Sequence, residues 1–550
     1  MVYRTLVLLL LLSGSAWAQG VVPAPTLAEM SIPEPGWAWD TTVTAEYGSA
    51  DYVTHYFDNT VTCTDTANTQ GSIANPRCTP PTMTALAAGA VVQGCGTYAR
   101  GSTDITVTAS GTAADPVFFQ ERGVANCAGG LVFTFTTTGN MVFGGSTYLI
   151  VKGISWTAVE GATCSSCSNF SLLDNDISGT SSTADSGAQM SVVGSTNVVR
   201  ARNILHDAGD WLNAAENDTH CLALGSGITG LWDLWNTAYH CSGDGQGNGH
   251  DADHTTSSVY IGGNEFYENR ENCIDLKEVH HLVISRNWCH DITTSSSSPG
   301  EGIVTHYGPD AGEGPYDIWI LNNLIEDVVV GVAFSDIEAP GGELHTVIGN
   351  VIKNCTVGIN HNNTSSVGVT FHFKHNTIAN CETGIWIGSA LGAADVGGNI
   401  VREAATRHFG ADTSAIRDAT QAFNELYYDA DGGIQIGWGS TGTTYTSIAA
   451  AIAGTADWDN SLQVDPLMTN YGSGDYTLTE SSPAVNAGLD MSALATTFNG
   501  LFGTSLLYDA EGNARPNGVW DMGAYEYTAG GDPPATPGAK PVYRLRVRED

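Results

Sequence analysis

The chain of 550 residues carries 58 Asp and Glu against 20 Lys and Arg, a formal net charge of −38. A surface of that charge repels DNA, RNA and anionic membranes, which argues against nucleic-acid binding, and it repels polyanionic polysaccharides unless divalent cations or a local basic patch intervene. With 65 Gly and only 14% charged residues, the composition fits a turn-rich all-β protein better than a helical one.

The first residues have the pattern of a secretory signal peptide. Arg4 supplies the basic end, residues 6–12 the short apolar core, and Ala16-Trp17-Ala18 the cleavage site, so residues 1–18 are expected to be removed and the mature chain exported. The apolar run is far shorter than the ~20 residues of a membrane span, and no later run is long enough. Twelve cysteines in an exported chain predict disulfides. Cys63 with Cys78 and Cys355 with Cys381 are the expected pairs, and Cys164-Ser-Ser-Cys167 reads as a structural bridge. Residues 19–45 are Pro-rich and read as a linker. Entry coils and a cap are expected over 46–128, where short β-prone runs alternate with Gly, Pro and Asn and an Ala-rich segment reads as a capping helix.

From about residue 170 a hydrophobic–x–Asn–x–hydrophobic unit recurs, anchored on Asn175, Asn203, Asn264, Asn287, Asn323, Asn350, Asn376 and Asn399. Between the later anchors lies a second unit, Gly302-Ile303, Gly331-Val332, Gly358-Ile359 and Gly384-Ile385. Periods in the twenties with two or three short strands are what a stacked solenoid needs, because one coil cannot bury a core alone. Asn tolerates the left-handed turn conformation and bonds its own backbone, so these residues are structural. Cys355 and Cys381 each follow their Asn by five residues, which places them in adjacent coils. After Asn399 the repeat degrades into a C-terminal end over 400–527, followed by a Pro/Gly-rich tail, 528–550, with clustered Arg544, Arg546 and Arg548.

The segments Tyr56 to Asn59, Gly96 to Tyr98 and Gly111 to Pro116, together with WDNSLQVDPL and NARPNGVWDMGAYEY near the end, resemble the entry and exit of secreted right-handed parallel β-helix proteins. The fold class is therefore read as all-β, a single-stranded right-handed parallel β-helix (solenoid) over 46–527. Such helices resemble the pectate-lyase superfamily. That resemblance implies a polysaccharide partner and a lyase, hydrolase or epimerase activity, but fold alone does not choose among these or exclude a non-catalytic glycan-binding protein.

The chemistry is expected where charge is concentrated on one strand. In Cys273-Ile274-Asp275-Leu276-Lys277, alternation buries Ile274 and Leu276 and sends Asp275 and Lys277 outward together. If Ile303 stacks on Ile274, His306 lies over Lys277, about one strand spacing of ~4.8 Å away. Lys277, His306 and Tyr307 are the candidate catalytic groups. In the lyase reading Lys277 takes a proton α to a uronate carboxylate while Ca²⁺ stabilises the developing charge. Asp251, Asp253 and Asp275 are the candidate ligands, with Asp244 beside them, because hard oxygens suit Ca²⁺. His250 and His254 leave Zn²⁺ as a minor alternative. Asp275 should raise the lysine's pKa and spoil it as a base unless a cation offsets the carboxylate. Arg270, Asn360 and Trp386 are the candidate substrate-binding residues, on a protein expected to act as a monomer. A glycoside hydrolase using Asp251, Asp253 and Asp275 is the enzymatic alternative.

Overall fold

The computed structural model describes residues 24–41 and 54–528, apart from short stretches at 124–125, 137, 158–160, 181–186, 214–217, 249–254, 307–314, 336–343, 363–369, 389–392, 414–419, 439–443, 456, 507 and 517. The expected signal peptide and nearly all of the basic tail lie outside the described residues.

The fold is a parallel β-helix. Each coil lays down three strands, as in Asn272–Lys277, His280–Ser285 and Trp288–His290. Each pairs in parallel with its counterpart one coil later: Glu301–His306, Tyr316–Leu321 and the start of Leu324–Ser335. Among the described strands, antiparallel pairing occurs where the repeat has ended, between Ile436–Trp438 and Thr444–Tyr445 and between Met468–Asn470 and Asp475–Leu478. We refer to the three sheets, in coil order, as the first, second and third.

Alternation along each strand builds the core. The column Ile274, Ile303, Val332, Ile359, Ile385, Phe409 and Ile436 stacks coil on coil, each member almost wholly buried, at about 1.5–3 kcal/mol per side chain. The recurring glycine before these residues has a steric cause. A Cβ on Gly302, Gly331 or Gly358 would stand 2.4–2.5 Å from the carbonyl oxygen of the glycine in the next coil. Only glycine lets the coils close to strand spacing at that corner.

The asparagines form one continuous ladder between the second and third sheets. Each side-chain amide donates to the side-chain oxygen of the next, from Asn175 to Asn203 (3.0 Å) through Asn376 to Asn399 (3.0 Å). Each Oδ1 also accepts the backbone N–H one coil earlier, as Asn350 does from Asn323. The ladder includes Asn236 and ends on Glu425.

All twelve cysteines are paired. Cys63–Cys78 and Cys355–Cys381 are as expected, and Cys164–Cys167 is a bridge. Cys95–Cys127, Cys221–Cys241 and Cys273–Cys289 complete the set.

Two expectations differ from the structure. The Ala-rich entry segment is the strand Met83–Ala87, not a capping helix: Met83 and Leu86 enter the core. Residues 24–41 form a strap on the outer face of the second sheet rather than a free linker. Leu27, Met30 and Ile32 are buried there, Trp232 and Trp235 donate to the carbonyls of Pro33 and Pro25, and Asp40 bridges Lys152 and Arg202. The helix Ser492–Phe502 covers the same face further along, with Phe498 against Trp319 and Phe502 against Tyr260. The strap and this helix thus both clad the second sheet.

Candidate functional site

The site is built from the corner that precedes the first-sheet strands and from the outward positions on those strands. His220 opens the strand Thr219–Leu224. One coil on, Asp244 lies beside it, with Oδ2 3.2 Å from His220 Nδ1, and Asp218 Oδ1 is 3.6 Å from His220 Nε2. In the following coil Asn272 donates to Asp244 Oδ1 at 3.0 Å and is itself held by Ser298. Ligand atoms of Asp218, His220 and Asp244 all lie within 4.8 Å of one another.

On the next strand Asp275 and Lys277 emerge on the same side, and the ammonium donates to Asp275 Oδ2 at 2.6 Å. Both are more enclosed than an outward position suggests: Asp275 is 7% exposed. The strand register puts Ile303 on Ile274 and His306 opposite Lys277, the stacking expected from the repeat. Cys273, two residues before Asp275, is tied through the interior to Cys289, and Cys221, next to His220, to Cys241. Disulfides therefore pin both site strands from inside.

Acidity controls the electrostatics. Burial raises the Asp244 carboxyl, with Asp275 adding to the rise. Glu271, at the same corner, is pushed up to about 8 by burial and by Asp244. Burial would lower His220, but Asp244 outweighs it and pushes the imidazole up to about 9. Burial would likewise lower Lys277, yet Asp275, Asp244 and Asp218 together hold it above the usual lysine value. The lysine is an ammonium wherever those carboxylates are uncompensated.

The Asp218–His220–Asp244 group has the features of a cation cradle. Asp218 Oδ1 is buried without a hydrogen-bond donor. Glycine lines the space beside it: a Cβ on Gly243 would stand 2.8 Å from Asp218 Oδ1, and one on Gly247 2.7 Å from Asp244 Oδ2. Two carboxylates and an imidazole suit a divalent metal, and the imidazole widens the choice from Ca²⁺ towards Mn²⁺ or Zn²⁺.

The other expected residues fall as follows. Asp275 takes the lysine as its partner. Asp251 and Asp253, with His250, His254 and Tyr307, lie outside the described residues. Arg270 clamps a loop: its guanidinium donates to the carbonyls of Trp211, Leu212 and Thr294. Asn360 and Trp386 share one outward column with Asp275, in the order Gly247, Asp275, Val304, Ala333, Asn360, Trp386, Gly410, Gly437. Sequence reasoning missed Asp218, His220 and Glu271. The spacing of the repeat before Asn264 is too irregular to place Asp218 and His220 one coil below Asp244.

No protein-family model and no curated protein matches the sequence. Among solved structures the chain is similar to pectate lyase Pel9A, at 14% identity over 86% of this chain and 96% of that one, TM-score 0.39. It is also similar to the catalytic domain of a GH87 α-1,3-glucanase, at 12% identity over 60% and 63% of the two chains, TM-score 0.35. A PL6 family polysaccharide lyase from Pseudopedobacter saltans is similar at 11% identity over 70% and 90%, TM-score 0.31.

Among the described residues no helix is long and apolar enough to cross a membrane.

Proposed function

We propose that the protein is an exported polysaccharide lyase that cleaves a uronic-acid-containing glycan by β-elimination, with Lys277 as the base. The observation that carries this reading is the placement of the Lys277 ammonium, 2.6 Å from Asp275, beside the Asp218–His220–Asp244 cradle and opposite His306 in the next coil. Removing a proton α to a carboxylate needs a positioned base and compensation of the developing negative charge.

Held by Asp218, His220 and Asp244, a divalent cation would neutralise the uronate carboxylate and offset the acidity that keeps Lys277 protonated. The deprotonated Lys277 amine then takes the C5 proton, the C4–O bond to the leaving sugar breaks, and the C4–C5 double bond forms. Asp275 orients the amine. His306, at the strand position opposite Lys277 in the next coil, is the proposed donor of a proton to the leaving oxygen, with Tyr307 the alternative from the sequence.

The test is turnover of alginate, polygalacturonate, chondroitin and neutral glycans, with and without a chelator, by the native protein and Lys277→Ala. Unsaturated product that disappears with the chelator and falls at least a hundredfold in the variant is expected. Unsaturated product that persists in Lys277→Ala would falsify the assignment of the base.

One observation favours a second reading. A protonated Glu271 next to the carboxylates of Asp218 and Asp244 is the acid–base pairing of a glycoside hydrolase. New reducing ends without unsaturated product, lost in Glu271→Gln, would select it.

A further inference from the structure

Four coils beyond Asp275 on the same column, about 19 Å at one strand spacing per coil, Trp386 and Arg407 share a floor made of glycine. Trp386 stacks on Gly410 and Gly410 on Gly437. The indole lies across the first glycine: a Cβ on Gly410 would meet ring atoms Cε3 and Cζ3 at 2.5 and 2.6 Å. The Arg407 side chain crosses both, with Cδ 3.3 Å from the Cβ position of Gly410 and Nε 3.7 Å from that of Gly437. Its guanidinium carbon stands 5.1 Å from the centre of the indole. Both side chains are partly exposed, as is Asn360 one coil before Trp386.

Any other residue at position 410 would displace the indole, so the platform exists because the column runs out of side chains there. Its chemistry is specific. An aromatic surface recognises the apolar face of a pyranose ring, and a guanidinium pairs with a carboxylate in two-point geometry. In a chain with only 20 Lys and Arg, a cation beside this column counters the general repulsion of an acidic glycan.

We infer that Trp386, Arg407 and the Gly410–Gly437 floor form a distal subsite for an acidic sugar unit, on the strand column of Asp275 and four coils from it. This rests on the assignment of the first-sheet face as the glycan site. It fixes two properties of the substrate: uronate character away from the cleaved bond, and enough length to span four coils.

Binding tests the subsite independently of turnover. Lys277→Ala protein would be titrated with polygalacturonate, alginate and a neutral β-glucan by calorimetry, alone and combined with Trp386→Ala, Arg407→Gln or Gly410→Val. The expected result is binding of at least one acidic polymer, weakened tenfold or more by Trp386→Ala. Arg407→Gln is expected to remove the preference for acidic over neutral polymer. Gly410→Val, which keeps both recognition groups but moves the ring, should weaken binding while circular dichroism and Tm show an intact β-helix. Equal affinity in all variants, or no affinity of the parent for either acidic polymer, overturns the subsite. Turnover surviving Lys277→Ala would overturn the base alone and leave the subsite standing.

Discussion

Asn399 passes its ladder to Glu425, and that single exchange puts a carboxyl where every earlier rung is an amide. Its Oε1 accepts from Asn399 Nδ2 at 2.9 Å in full burial. Burial pushes the group up to about 7, the two Asn399 hydrogen bonds offsetting part of the rise. Near neutral pH the folded chain then holds a proton there that the unfolded chain, with an ordinary glutamate pKa of about 4.3, has already released. The stability this proton contributes is fully present at low pH, is lost as pH rises through about 7, and is absent above it. Glu425→Gln keeps the acceptor on Asn399 and removes the charge. It should be on the order of 3–4 kcal/mol more stable than the native chain at pH 8, since each tenfold change in a proton-binding equilibrium is worth about 1.4 kcal/mol. At pH 4 the two should unfold together. Denaturant titrations at the two pH values measure this, and a gap that does not shrink on acidification would contradict it. At this same scale the sequence revealed Lys277 and Asp275, because two charges two residues apart on a strand must share a side. It did not reveal how the lysine is held, since two of the carboxylates that raise it, Asp244 and Asp218, come from other coils.

Single amides become a structural element only when stacked. Asn323 gives two hydrogen bonds, to Ile284 O at 3.0 Å and Asn350 Oδ1 at 2.9 Å, and accepts two more from Asn287. Truncation removes the acceptor of both Asn287 N–H groups and the donor to Ile284 O, at roughly 1–3 kcal/mol for each group not rescued by water. Asn323→Ala should therefore lower the unfolding free energy by at least about 2 kcal/mol, whereas the exposed Asn470, which makes no side-chain cap hydrogen bond, should tolerate alanine with little change. Equal effects at the two positions would contradict a load carried by the ladder. The ladder was legible because its residues keep a fixed place between two apolar strands. Asn236, between Leu234 and Ala238, fits the same unit, whereas Glu425 carries no such signal because it is not an amide. The strap was illegible for a different reason. Pro23, Pro25, Pro33 and Pro35 prescribe an extended chain but not what it lies on, and Leu27, Met30 and Ile32 find their partners on strands far along the chain.

At the scale of the whole molecule, the charge of −38 opposes the function proposed for the site. A polyuronate approaching this surface meets long-range repulsion before Lys277 or Arg407 can act on it, because a local cation is felt only within about a Debye length. That length is ~30 Å at 0.01 M salt and ~10 Å at 0.1 M. Raising NaCl across this range should shorten the repulsion faster than it weakens contacts already formed. The association rate of an acidic glycan should therefore rise several-fold, opposite to the fall seen when partners carry unlike charges. A neutral glycan should show no such dependence. Stopped-flow intrinsic fluorescence with Lys277→Ala protein measures both without turnover. If the acidic glycan instead binds more slowly as salt is added, the field at the site is positive despite the net charge. The first sheet would then be guiding its ligand from a distance, not merely holding it on contact.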